Sequence, residues 1–148
     1  MPQYAKNKKA FFEYDILDTI EAGLVLTGAE VKSIRNKHIK LTGSFVHIYQ
    51  DEAYINNMHI ASYKHAVQIN YDPTQRRKLL LNRKEIAYLQ GKSQEKGLTI
   101  IPLSVYTKGR HIKLEIAIAR GKKSYDKKRV LKERDLNREA QRAIKDMM

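Results

Sequence analysis

Cysteine is absent from the 148 residues. That excludes disulfides, thiolate metal sites and cysteine nucleophiles together, and it fits a reducing compartment. No apolar run approaches the length of a membrane span. The first residues, MPQYAKNKKAFF, lack the extended apolar core of a secretory signal. A cytoplasmic protein with no membrane role is the expectation. Signatures of catalysis are missing as well. The five histidines (His38, His47, His59, His65 and His111) form no HExxH or HxxxH pair on an expected helix. Ser44 and Ser104 lack the glycine pattern of a nucleophile elbow. Gly91-Lys92-Ser93 ends like a phosphate loop, but Ile86 stands where that loop needs its first glycine. Asp15 with Asp18, and Asp51 with Glu52, read as solvated surface acids rather than a catalytic pair. The chain is therefore expected to be no enzyme, with no metal, no cofactor and no small-molecule substrate.

Acidic residues are also scarce relative to basic ones. Lys plus Arg number 29 and Asp plus Glu 16, a net charge of +13. The last 28 residues hold ten basic and five acidic side chains. That leaves +8 on the first 120, so the folded part is itself basic. Hydrophobic residues make up 42%, enough for a folded core of ordinary single-domain size. A basic domain with a basic tail points to nucleic acid as partner.

Three regions are expected. Residues 1–10 read as a short basic N-terminal arm (Lys6, Lys8, Lys9). Residues 11–120 read as the domain, and 121–148 as a basic C-terminal tail. Within the domain, Phe11 to Leu17 alternates like a half-buried strand with Phe12, Tyr14 and Ile16 inward. Glu21-Ala22-Gly23 reads as a turn, followed by a short strand from Leu24 to Leu26. Thr27 and Glu30 have capping-box spacing, and Leu26 and Val31 staple spacing, so a helix is expected from there to about Asn36. Its outward side carries Lys32 and Arg35. Phe45–Tyr49 and Ala53–Ile55 flank a hairpin turn at Gln50-Asp51-Glu52. Residues 58–70 show no clear period. Tyr71-Asp72-Pro73-Thr74 is a turn signal. Asn82 and Glu85 then repeat the capping box ahead of a second helix, which ends at Gly91 or Gly97. Leu98–Thr107 and His111–Ala119 form a long hairpin across Lys108-Gly109-Arg110. Ile112, Leu114, Ile116 and Ile118 lie on one face, and His111, Lys113 and Glu115 on the other.

Short strands, two short helices and no βαβ rhythm predict a mainly β fold: an OB-like antiparallel barrel with packed helices and a basic C-terminal tail. Sheet-on-helix α+β folds remain an alternative on pattern alone. Such barrels commonly bind RNA or single-stranded nucleic acid. Arg76-Arg77-Lys78 forms one basic cluster. Lys122-Lys123 and Lys127-Lys128-Arg129 form two more at the base of the tail. If the tail becomes helical, Arg134, Arg138 and Arg142 fall on one side at i, i+4 and i+8. Its apolar edge is too thin to support a helix alone, so it is expected to be disordered when free and to fold against a polyanion. Tyr125 offers a stacking surface among the tail lysines.

Three stretches carry a resemblance: EAGLVLTGAEVKSIR (Glu21–Arg35), YDPTQRRKLLLNRKEI (Tyr71–Ile86) and GKKSYDKKRVLKERD (Gly121–Asp135). In order and spacing they resemble the SmpB family, the SsrA-binding proteins of bacteria. The likeness extends over nearly the whole chain. It implies an RNA-binding protein that takes the tRNA-like domain of transfer-messenger RNA (tmRNA) to stalled ribosomes for trans-translation, the rescue of those ribosomes. It implies the ribosome as a partner, with elongation factor Tu joining through the tmRNA complex. The tail would enter the decoding centre and the empty message channel and become helical there. By position, Asn7, Glu21 and Leu80 correspond to the family's RNA-binding surface. Gly121, Lys122 and Lys123 open the tail, and Tyr125, Asp126, Lys127 and Lys128 match its decoding-centre segment. Tyr125 stands where many members have His, and a tyrosine can still stack. Lys128 stands where many have Arg, which keeps the charge but loses the bidentate fork. Composition alone leaves two alternatives open: a general basic RNA-binding or ribosome-associated protein without tmRNA specificity, and an RNA-processing factor with an OB-like domain.

Overall fold

The computed structural model describes residues 3–64 and 70–122. His65 and the tail positions Lys123, Tyr125, Asp126, Lys127, Lys128, Arg129, Arg134, Arg138 and Arg142 lie outside the described residues.

The chain runs β1 (Gln3–Lys6), α1 (Lys8–Glu13), β2 (Tyr14–Leu24), α2 (Gly28–Arg35), β3 (Ile39–Lys40), β4 (Phe45–Tyr49), β5 (Glu52–Asn56), β6 (His59–Ile60), β7 (Arg77–Leu80), α3 (Arg83–Ser93), β8 (Leu98–Lys108) and β9 (His111–Gly121). All strand pairings are antiparallel. Six strands follow one another in a ring, β2-β9-β8-β4-β5-β7 and back to β2. The ring is loosest between β4 and β8, which meet at the single pair Val46 and Ile100. It is a mainly β, OB-like barrel with short helices, as the pattern of strands and helices predicts.

The interior is aliphatic. Ile55, Leu79, Ile100, Leu114, Ile116 and Ile118 are all at most 2% exposed. Ile34 from α2 and Leu89 from α3 close the barrel's open flanks. The inward face foreseen on β9 is the one observed. A second, smaller cluster of Ala10, Ile101, Leu103, Ala117 and Ala119 lies on the other side of β8 and β9, beneath α1. Small alanines on β9 let that short helix approach the sheet.

Both capping boxes form. Thr27 Oγ1 accepts from the Glu30 N–H, and the Glu30 carboxylate accepts from the Thr27 N–H; Asn82 and Glu85 do the same for α3. The β4–β5 hairpin turns on Gln50 and Asp51, whose φ angles of 48° and 61° have the hand such a turn requires. The β8–β9 hairpin is one residue tighter than expected. Lys108 pairs with His111, and Gly109 supplies the positive φ of 62°.

The start of the chain differs from the reading of the sequence. Residues 3–6 are not a free arm but a strand against Ser104–Tyr106 of β8. Phe11 and Phe12 belong to α1, which starts at the Asn7 cap and leaves Tyr14 as the first strand residue. Nor do Glu21, Ala22 and Gly23 turn. They pair with Glu115, Leu114 and Lys113 on β9, and Gly23 also pairs with Leu80 on β7. Hydrogen bonding to neighbours on both sides overrides the turn preference of glycine. The irregularity in β2 lies earlier, between Ile16 and Asp18, where the ladder shifts register around the half-exposed Leu17. Gly91 sits inside α3, which ends at Ser93.

A buried ion pair joins α2 to β7. Arg77 Nε donates to Glu30 Oε2 at 2.5 Å, with each side chain 2% exposed. Arg77 also donates to the Met58 carbonyl (2.6 Å), the Pro73 carbonyl (2.9 Å) and the Tyr71 hydroxyl (3.1 Å). Tyr71 and Gln75 donate to Glu30 at 3.2 and 3.4 Å. Among the described residues no buried side-chain nitrogen or oxygen lacks a partner. Burial pushes the Glu30 carboxyl pKa up, but the Thr27 N–H, the Arg77 guanidinium and Gln75 outweigh it and hold the pKa below its ordinary value.

Removing one member leaves the other charge buried alone, so Arg77→Met is expected to cost about 3–5 kcal/mol in urea unfolding. The double change Glu30→Gln/Arg77→Met should cost less than Arg77→Met. Because the folded pKa of Glu30 is lowered, its contribution is complete above the unfolded glutamate value and is lost as pH falls through the folded one. Unfolding titrations down that acid range should show a decline that Glu30→Gln flattens. An unchanged slope would remove Glu30 as its source.

Candidate nucleic-acid interface

Strand alternation decides which residues of the Arg76-Arg77-Lys78 cluster face solvent. Arg77 and Leu79 point inward, 3% and 1% exposed, while Lys78 and Leu80 point outward. Arg77 is therefore withdrawn from the surface set that the sequence nominates: all its hydrogen bonds stay inside the protein. Asn7 is withdrawn too. It is 5% exposed, its Nδ2 donates to the Pro102 carbonyl (3.0 Å), and its Oδ1 accepts from the Ala10 N–H (3.3 Å). The Asn7 N–H donates to the Leu103 carbonyl at 2.7 Å. A side chain so engaged fixes α1 onto β8, and its remaining exposed edge lines a cavity with Lys9, Glu13 and Thr42.

Glu21 and Leu80 do face outward, on neighbouring strands. Leu80 is 54% exposed, unusually high for a leucine on a paired strand. It lies over Gly23, its partner across the ladder. A Cβ at position 23 would stand 3.1 Å from Leu80 Cβ and 3.4 Å from its Cδ1, so the missing side chain makes the bed for Leu80. A groove beside it is lined by Leu24, Leu26 and Val31 and rimmed by Arg110, His111 and Lys113. Glu21 accepts a hydrogen bond from the Tyr106 hydroxyl and a longer one, 3.5 Å, from Lys108 Nζ. The Tyr106 bond above all holds its carboxyl below the usual glutamate range; burial opposes it, and the charges of Lys108 and then Lys113 add to the lowering. Tyr106 is pushed up, by burial first and then by its bond to Glu21. Glu21 thus stands as a charged acceptor in a basic surround.

A second outward group lies on β4, β5 and the approach to β7. The Arg76 guanidinium sits 4.2 Å from the Tyr54 ring centroid and 6.0 Å from that of Tyr49. His47 stacks on Tyr54 with centroids 5.6 Å apart. Burial first, then the Arg76 charge, lowers the His47 pKa. Lys78 pairs with Glu52 at 2.9 Å, and Tyr54 donates to the same carboxylate at 2.6 Å. Hydrogen bonds from Tyr54 and Lys78 lower the Glu52 pKa, and the bond to Glu52 raises that of Lys78. Lys32 and Arg35 are exposed on α2, with Lys32 Nζ 5.5 Å from the Tyr63 ring. Gly121 ends β9. The Lys122 N–H donates to the Glu13 carbonyl (2.8 Å) and its Nζ to the Phe11 carbonyl (3.4 Å), so the chain leaves the barrel beside α1.

Glu21, Leu80, Lys78 and Arg76 thus share the outer surface of the barrel wall. The sequence did not single out Tyr106 and Lys108; the only signal for them was their shared parity on β8. Among the described residues no three His, Asp or Glu side chains gather as metal ligands, and no helix is long and apolar enough to cross a membrane. The surface offers cations for phosphates, a carboxylate for base N–H donors and an apolar side chain for a base or sugar.

Several known proteins are similar to this chain over most of its length. The family model described as SmpB protein matches residues 4–146. The chain is 52% identical to the SsrA-binding protein of Persephonella marina, over 95% of this chain and 93% of that one. It is 53% identical to that of Aquifex aeolicus, over 95% and 90%. Among solved structures it resembles a chain described under "tmRNA-SmpB: a journey to the center of the bacterial ribosome", with a TM-score of 0.69 and 43% identity. That match covers 81% of this chain and 85% of the other.

Gly23→Ala should force Leu80 off its bed. A loss of about 1 kcal/mol in thermal unfolding is expected, with shifts in the Leu80 methyl resonances. Unmoved Leu80 methyls would mean that the open site at Gly23 does not set the position of Leu80.

Proposed function

This chain belongs to the SmpB family of SsrA-binding proteins, and on that footing we propose a division of labour between its barrel and its tail. The protein binds tmRNA and serves trans-translation, the rescue of stalled ribosomes. The match over residues 4–146, spanning barrel and tail alike, carries this reading.

The barrel takes the tRNA-like domain. Glu21 and Leu80 are its centre, because both are outward, adjacent through Gly23 and chemically suited to a base and its edge. Arg76, Lys78, Lys32 and Arg35 supply phosphate contacts around it. Asn7 supports that surface from beneath, through α1 and β8. Arg77 supports it through the fold. The tail acts on the ribosome. Gly121 and Lys122 lead it away from the barrel. Lys123, Tyr125, Asp126, Lys127, Lys128 and Arg129 serve the decoding centre, and Arg134, Arg138 and Arg142 the phosphates of the message channel. Elongation factor Tu joins through the tmRNA complex, and the work is done in the cytoplasm without catalysis by this chain. In this reading the barrel domain begins at β1 rather than after residue 10.

Glu21→Arg and Leu80→Arg are each expected to abolish specific binding to a tmRNA tRNA-like domain in a titration at physiological salt, while the circular dichroism stays native. A version ending at Arg120 should keep that binding and its preference over ordinary transfer RNA, but lose rescue in a reconstituted translation assay. Equal binding to both RNAs, with the steep salt dependence of pure phosphate contact, would favour a general RNA binder. Loss of RNA binding on truncation would undo the division between barrel and tail.

A further inference from the structure

Glu21 does not stand alone on the outer wall. Its carboxylate is reached from two strands away, because β9 lies between β2 and β8. Tyr106 and Lys108 share the outward face of β8, and both side chains cross over β9 to meet it. The Tyr106 hydroxyl donates to Oε2, while among the described residues Oε1 has only the 3.5 Å contact with Lys108. The Tyr106 ring is partly buried, with Gln3, Ser104 and Glu115 beside it, so the hydroxyl is carried on a restrained ring rather than on a freely moving chain. Glu115 sits directly across from Glu21 in the ladder. Two carboxylates on one face of the ladder disfavour each other, and a donor on Glu21 offsets that.

We infer that Tyr106 is a positioning residue for RNA recognition: its hydroxyl holds the Glu21 carboxylate in one orientation, so that Oε1, engaged only by the long Lys108 contact, is presented to the N–H groups of an unpaired base. The inference rests on the reading of Glu21 as an RNA contact. It also states what class of group can bind at this point. A carboxylate only accepts, so it takes an amino or imino edge of a base or a ribose hydroxyl, and it repels phosphate. The Tyr106 bond first, with the Lys108 charge as a lesser contribution, favours the charged carboxylate. The groups facing Glu21 are Tyr106 and Lys108 from β8 and Lys113 and Glu115 from β9; β7 meets β2 only further along, at Gly23 and Leu24.

The test is a double-mutant cycle on the full chain, with the tRNA-like domain of tmRNA as probe. Tyr106→Phe keeps the ring and removes only the hydroxyl, so the fold is retained. In the native background it should weaken binding roughly tenfold, the usual scale for a hydrogen bond to a charged group. In a Glu21→Ala background it should change nothing further, because it acts through Glu21. The carbon-13 titration of the Glu21 carboxyl in the free protein gives a second readout. Loss of the Tyr106 bond should move its midpoint up toward the ordinary glutamate value. An equal effect in both backgrounds, no effect in either, or an unmoved midpoint overturns the inference. If Glu21→Ala itself binds like the native protein, the reading of the RNA site fails, and the inference with it. If Glu21→Ala loses binding while Tyr106→Phe keeps it, only the inference fails.

Discussion

The buried pair of Arg77 and Glu30 is the constraint from which the working surface follows. Glu30 serves two structures at once, capping α2 through Thr27 and receiving Arg77 from β7. Tyr71, Gln75 and the carbonyls of Met58 and Pro73 complete the shell, so a helix, a strand and an otherwise irregular loop are fixed by one set of hydrogen bonds. A charge pair taken this far from water is tolerated only when its polar atoms are met, and here each buried nitrogen and oxygen of the pair has a partner. Its consequence is one of parity. With Arg77 committed to the inside, Lys78 and Leu80 must face out. A slip of one residue would bury the lysine and turn the arginine to solvent.

The second consequence concerns β2. Because this strand runs unbroken through Glu21 and Gly23, it forms a bridge between β7 and β9. Leu80 comes to it from one side, Tyr106 and Lys108 from the other. Residues far apart in the chain thus meet on one patch whose members differ in kind: an apolar side chain, an acceptor held in place and cations beyond. Such a mixture suits a particular RNA better than a uniformly basic face does, since phosphate contacts alone carry no direct sequence information. The aromatic group around Tyr54 adds flat, charged area nearby and spends much of it on its own internal contacts with Arg76 and His47.

Much of the framework was legible in the chain. Both capping boxes, the β4–β5 hairpin and the inward face of β9 follow from local spacing, and the structure has them. What was misread has a common cause. Residues 3–6 look like a polar arm because the edge of β8 that receives them lies about a hundred residues away. Glu21-Ala22-Gly23 looks like a turn because the two partners that straighten it are equally remote. Asn7 and Arg77 were nominated for the surface on residue type and position. Their burial depends on carbonyls from Leu103, Pro102, Met58 and Pro73 that no local pattern announces.

By itself, then, the sequence determined the class of fold, the basic character shared by domain and tail, and the family, because these rest on periodicity, composition and motifs read over short spans. Only the tertiary structure decided which members of the Arg76-Arg77-Lys78 cluster face solvent, that Leu80 lies over Gly23, and that Tyr106 donates to Glu21. These are pairings across strands. Their partners are chosen by register and by the closure of the ring, and a linear pattern contains neither.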